Sequence, residues 1–457
     1  MAGIGFQLRQ TLEPGTFAGI FKAYGYAALI SSGPWVLSIL SLAILGLILG
    51  TQGLESEFNL FYVTVTHVYA FSLMVTGPVQ LILTRYAADR DYLKQPEKVF
   101  PAFLSALALT VIGAGGLGLT VFLFFVPASL IFQLSAAFLF VVTSGLWITA
   151  VFLSSLKDYQ GILINFTIGY CTSFFLAWSW GRTLGIDYVI LGFASGQIVL
   201  LALFIVSVSR QYGNQSLKNF EFFGYFRTHY PLAFVGFFYN FGVWIDKLLF
   251  WWLSPIGEPV TGVLYSAPIY DAAVCLSFLT IVPGMAVFLL GMETEYAIRY
   301  QAFMDAVLKQ ETLGSIEARK KELVQALREG LIKVIKIQSI VTGLFVLFAE
   351  DLLQILGLGR VQTGVFQVSM LGVFVLVLFL SLLTVLFYLD KSKDAMWCTI
   401  VFSACNAGFT LLNIYGGAQW YGTGFVVAAG IAFLVAGSRV NRHHRDLEYQ
   451  TFALQPL

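Results

Sequence analysis

Twelve stretches of the chain are apolar for long enough to cross a membrane as a helix, which takes about 20 residues at 1.5 Å each. They run over Ala18–Gly50, Leu60–Leu83, Ala102–Phe125, Ser129–Leu153, Gly161–Trp180, Tyr188–Val208, Pro231–Leu253, Gly262–Leu290, Leu331–Ala349, Gly364–Leu389, Ala395–Tyr415 and Trp420–Ser438. No stretch alternates strongly enough to suggest a barrel strand. The polar segments between spans are short, with one exception. Glu293 to Lys336 is rich in Glu, Lys, Arg, Ala and Leu and holds no proline. Leu323, Ala326 and Leu327 recur there at helical spacing, which predicts one or two amphipathic helices. That face either lies solvated at the membrane surface or docks a partner.

The pattern predicts an all-α membrane protein of twelve transmembrane helices. The even count suggests two six-helix, pseudo-symmetric halves around a central cavity, residues 1–228 and 229–457. A short internal echo agrees. The second span carries His67-Val-Tyr-Ala-Phe and reaches Gly77-Pro78. The eighth carries Ile269-Tyr-Asp-Ala-Ala and reaches Pro283-Gly284. Related halves are common in secondary transporters.

Composition narrows the class. Of 457 residues, 58% are hydrophobic and 11% charged, against roughly 45–50% and about 25% in soluble proteins. Mean hydropathy is +0.81. Large extramembrane domains are excluded. Net charge is +1, so nothing points to nucleic acid. With the N-terminus in the cytoplasm, 23 of the 26 Lys and Arg residues fall in cytoplasmic segments or at the cytoplasmic ends of spans. The excess of positive charge inside predicts both termini cytoplasmic. The first span is too long for a signal peptide. Trp178, Trp180, Trp251, Trp252 and Trp420 fall at expected outer boundaries, as an interfacial belt. Cys171, Cys275, Cys398 and Cys405 lie in apolar segments without a CxxC pair, which predicts reduced, buried packing residues.

Charges deep in a span cost roughly 2.5–3.5 kcal/mol each on insertion scales and usually mark function. Three stand out: Asp246, Lys247 and Asp271. Helical neighbours point about 100° apart, so Asp246 and Lys247 are expected to pair elsewhere. Lys247 lies about 10 Å from the outer end of its span and Asp271 about 14 Å from the outer end of the next. The similar depth predicts a Lys247–Asp271 ion pair. Such a pair either locks two helices or walls a water-filled cavity. His67 is either a hydrogen-bonded packing histidine or a pH-sensitive cavity residue. Tyr239, Trp244, Tyr265, Tyr270 and Tyr69 cluster near these groups, with Asn240 among them. Sugars present apolar CH faces and hydroxyl edges, and an aromatic tunnel with scattered carboxylates suits them. The expected substrate path is therefore Asp246, Lys247, Asp271, Tyr239, Asn240, Trp244, Tyr265, Tyr270, His67 and Tyr69.

Enzyme signatures are poor. Asp89-Arg90-Asp91 is a DxD string in a short loop without a nucleotide-binding domain. No P-loop, HExxH or GxSxG occurs, so no enzymatic activity, cofactor or metal is expected.

Several strings carry a resemblance. They are Met1-Ala-Gly-Ile-Gly-Phe-Gln-Leu-Arg, Phe71-Ser-Leu-Met-Val-Thr-Gly-Pro-Val-Gln-Leu, Thr84-Arg-Tyr-Ala-Ala-Asp-Arg, Trp244-Ile-Asp-Lys and Tyr265-Ser-Ala-Pro-Ile-Tyr-Asp-Ala-Ala. In this order, over essentially the whole length, the chain resembles the PelG family of inner-membrane Pel exopolysaccharide transporters. The resemblance implies a place among the multidrug/oligosaccharidyl-lipid/polysaccharide flippases. It implies export of an N-acetylhexosamine-rich biofilm polymer, with no catalytic motif to transfer. Its implied partners are the cytoplasmic glycosyltransferase PelF and the membrane proteins PelD and PelE, besides the lipid bilayer and the polymer itself. A cation-coupled antiporter, a lipid-linked oligosaccharide flippase and a non-transporting synthase subunit are the other readings.

Overall fold

The structure is a computed structural model that describes residues 19, 22–28, 55–152, 159–185, 187–213 and 221–452. It is helical almost throughout. In chain order the helices are α1 Glu55–Tyr92, α2 Val99–Phe125, α3 Leu130–Ala150, α4 Tyr159–Leu184, α5 Asp187–Tyr212, α6 Glu221–Thr228 and α7 Tyr230–Leu253. Then come α8 Pro268–Leu279, α9 Ile281–Gly291, α10 Ala297–Leu308, α11 Leu313–Leu347, α12 Ala349–Ile355, α13 Arg360–Tyr388, α14 Ser392–Gly416, α15 Thr423–Arg445 and α16 Leu447–Phe452. Two short strands, β1 Glu258–Thr261 and β2 Leu264–Ser266, form an antiparallel hairpin after α7.

Among the described residues, 11 helical segments are long and apolar enough to cross a membrane. They coincide with the second to twelfth expected spans, and the protein is a multi-pass membrane protein. Most of the first expected span, Ala18–Gly50, lies outside the described residues.

The chain divides into two compact units, residues 33–268 and residues 269–457 with 1–32. In the first unit α1 packs against α3 and α7, and α4 runs along α5. The aromatic and aliphatic core around Phe61, Phe132, Phe140 and Phe193 fills the space between α1, α2, α3 and α5. The first unit includes α7, which lies close against α1. The two backbones touch at Gly77 and Gly236: a Cβ on Gly236 would stand 2.1 Å from the Gly77 carbonyl oxygen. Small residues allow this approach, as in many membrane helix pairs. Asn240 adds a hydrogen bond, donating Nδ2 to the Leu73 carbonyl at 3.1 Å.

The hairpin corrects the start of the eighth span. Gly262 was expected to begin it, but the helix begins at Pro268. Gly262 sits at the hairpin tip with φ +54°, a conformation that favours glycine. The Val263 amide donates to the Phe125 carbonyl at 3.1 Å, which ties the hairpin to the end of α2.

In the second unit α14 lies along α15, and α15 along α13. Residues 22–28 are helical, and Ala23 and Ala27 pack on Ala286 and Leu290. The expected amphipathic stretch is not a separate loop. The eighth span continues through a π-turn, Met292–Tyr296, into α10. The single 35-residue helix α11 returns from it directly into the ninth span. Thr312 caps α11, its hydroxyl accepting from the Ser315 amide at 3.4 Å. Leu323, Ala326 and Leu327 are buried as their spacing predicts.

Candidate functional site

Helix α7 carries the two buried Asp, Glu, Lys or Arg side chains found among the described residues. Its apolar sequence supports a membrane-length helix, yet Asp246 is 0% and Lys247 8% exposed. The two neighbours pair with each other. The Lys247 amine donates to Asp246 Oδ1 and Oδ2, each at 3.1 Å, and to the Val243 carbonyl at 2.9 Å. The expectation that adjacent residues could not pair is corrected by the reach of the lysine. Its four-carbon stem turns back toward the preceding turn, so the amine meets the carboxylate although the Cβ atoms diverge. The amine also lies 5.7 Å from the centroid of the Trp244 ring.

An aromatic stack adjoins this pair. Trp251 lies 6.3 Å from Trp244, and the His67 ring stacks on Trp251 at 4.2 Å. His67 Nδ1 bonds the Val63 carbonyl at 2.9 Å, while Nε2 is buried without a partner among the described residues. Trp251 is 1% exposed, so it belongs to the core and not to the interfacial belt. Trp252, at 42% exposed, does face outward, and its indole donates to the Val263 carbonyl of the hairpin at 3.2 Å.

The remaining expected residues separate. Tyr69 lies two positions from His67 on α1, about 200° around the helix. It lines a small cavity of about 30 Å³ with Trp147, Tyr170 and Gln197, away from α7. Asn240 serves the α1–α7 contact. Tyr239 and Trp244 are half-buried on α7, and Tyr265 is half-buried in β2, opposite Pro259. Tyr270 is buried and Asp271 half-buried in the first turn of α8. Asp271 thus lies about 4.5 Å from the start of its helix, and not the about 14 Å counted from Gly262. Asp271 and Lys247 fall in different units. Sequence reasoning missed Trp251 and the Gly77–Gly236 contact. Only the Gly-Pro string at Gly77 hinted at the second.

Other candidates resolve structurally. Arg90, in the middle of the DxD string, lies 4.8 Å from the Tyr86 ring and 3.3 Å from Glu221, while Asp89 pairs with Arg85 at 3.0 Å. The Arg90–Glu221 pair fastens α6 to the end of α1. Of the cysteines, Cys398 is buried, Cys275 and Cys405 are half-buried, and Cys171 is exposed, so burial holds for one of four. Among the described residues no three His, Cys, Asp or Glu side chains converge as metal ligands.

A second polar region surrounds the base of α11. Arg299 pairs with Glu322 at 2.8 Å and Lys320 with Glu448 at 2.8 Å. Beside them an open groove of about 770 Å³ is lined by Lys321, Val324, Arg328, Glu329 and Ile332.

Membrane-length helices that bury an ion pair define the chain as a multi-pass membrane protein. Several solved structures share its fold. A MATE transporter in complex with MaD5 matches at 14% identity and TM-score 0.59, over 91% of this chain and 96% of that one. A MOP-superfamily transporter from Pyrococcus furiosus matches at 15% and 0.58, over 92% and 94%. An outward-facing multidrug-resistance MATE transporter matches at 13% and 0.55, over 98% and 95%. At these identities the likeness shows the fold alone. Residues 1–452 match the PelG family, described as an exopolysaccharide exporter (EPS-E), and the chain belongs to that family. No curated protein matches the chain significantly.

Proposed function

We propose that this membrane exporter carries an N-acetylhexosamine-rich, Pel-like exopolysaccharide from cytoplasm to periplasm across the bacterial inner membrane. The observation that carries the reading is the family match over residues 1–452, nearly the full chain. Movement is driven by growth of the polymer behind it. No phosphate-cradling loop stands in the sequence to use ATP. Both termini and the α10–α11 helical pair face the cytoplasm, where most Lys and Arg residues fall. The α10–α11 pair receives the glycosyltransferase PelF, and PelD and PelE complete the assembly.

The polymer passes the α7 cluster. Trp244 offers a stacking face, while Asp246 and Lys247 offer hydrogen bonds to sugar hydroxyls. Tyr239, on the same helix, and Tyr265 extend the path. The test is removal of this chain alone from a producing cell. Polymer accumulating in the cytoplasm supports export; normal secretion refutes it. In vesicles holding the glycosyltransferase, continued export after an uncoupler supports drive by synthesis. Arrest with synthesis still running refutes that drive.

A further inference from the structure

The eighth span is broken where it should be most regular. Helix α8 stops at Leu279 and α9 starts at Ile281, with Thr280 between them at φ −72°, ψ −8°. Pro283 contributes to the break: it has no N–H, so the Leu279 carbonyl loses its usual helical donor. A side chain from another helix lies across this point. Gln338 of α11 is fully buried and donates Nε2 to the Thr280 carbonyl at 2.9 Å. The other end of its carboxamide rests on Gly284, one turn further on. A Cβ at Gly284 would stand 2.4 Å from Gln338 Oε1, so only glycine leaves room for the amide.

Two oxygens at this place are unsatisfied. Gln338 Oε1 and Thr342 Oγ1, one turn apart on α11, are both buried without a partner among the described residues. Buried polar atoms are rarely left so, and an exception calls for a reason. A buried glutamine inside an apolar helix is itself costly. The apolar alternative of simple packing would require neither the amide nor Gly284.

We propose that Thr280–Pro283 is a hinge in the eighth span and that the Gln338 carboxamide is the latch that holds it in the arrangement described here. The two unsatisfied oxygens are the cost of that arrangement; they are satisfied when the span bends and the backbone groups at the break become free. Hinges of this kind take up conformational change at a few element-terminal residues. Gln338 is then a positioning residue that acts through the backbone of its neighbour.

The full-length protein in detergent provides the test, by amide hydrogen exchange over Ser277–Gly284. Gln338→Leu should raise exchange there roughly tenfold while leaving α13 to α15 unchanged. Gly284→Ala should raise it similarly, by forcing the carboxamide away from the break. Gln338→Ala should also raise exchange there, and in Gln338→Ala/Gly284→Ala its effect and that of Gly284→Ala should not add, because both remove the same contact. If Gln338→Leu does not fold, the Gly284→Ala and double variants carry the test. Unchanged exchange, a uniform rise across the unit, or additive effects would each overturn the proposal.

Discussion

Helices α7 and α8 both carry a carboxylate that the sequence marks as deep, and the fold treats them in opposite ways. On α7 the charge lies in mid-helix, and Asp246 is buried together with the amine that neutralises it. On α8 the hairpin takes up the residues expected to start the span, which leaves Asp271 in the first helical turn. There the helix dipole favours a carboxylate. Distance from a helix end, and not distance from a hydrophobic boundary in the sequence, decides how deeply each carboxylate is buried: Asp246 fully, Asp271 by half.

Breaking the α7 pair should have the largest effect. Lys247→Leu removes the amine that pairs with the buried Asp246 carboxylate, at about 3–5 kcal/mol. Thermal unfolding in detergent measures the loss. Asp246→Leu/Lys247→Leu should recover most of it, since two well-packed apolar residues often replace a buried pair without loss. Gly236→Ala comes next, at about 1–3 kcal/mol, because the added methyl meets backbone at Gly77. Its unfolding should reveal whether α7 is anchored to α1 as strongly as the close approach implies. Asn240→Leu should cost less, about 0.6 kcal/mol and at most about 1.7, the range of interhelical hydrogen bonds in membranes. Asp271→Asn should have the smallest effect, about 0.3–1 kcal/mol, by loss of the dipole interaction. An Asp271→Asn cost equal to that of Lys247→Leu would erase the contrast between the two helices.

Much of this architecture is legible in the sequence. Hydrophobic length places the second to twelfth spans, and the spacing of Leu323, Ala326 and Leu327 identifies the buried side of α11. The hairpin is less legible: Val260-Thr261-Gly262-Val263-Leu264 joins the apolar run that follows, and composition merges the two. Its signal is the glycine between β-branched flanks. The Asp246–Lys247 pair is hidden by the flexibility of a lysine stem, which helical geometry at Cβ does not describe. The His67–Trp251 stack joins residues 184 positions apart, a contact no local pattern encodes. Tyr69 and His67 look alike in sequence and face opposite ways because their spacing of two is almost a half-turn.

The most direct test of the export reading uses the variant expected to keep its fold. Asp246→Leu/Lys247→Leu, replacing the wild-type chain in a producing cell, should reach the membrane at normal levels. If the pair lines the polymer path, polymer should be made and retained in the cytoplasm, with secretion lost. Secretion at the wild-type rate from this variant would contradict the account and reduce the pair to a structural lock within α7.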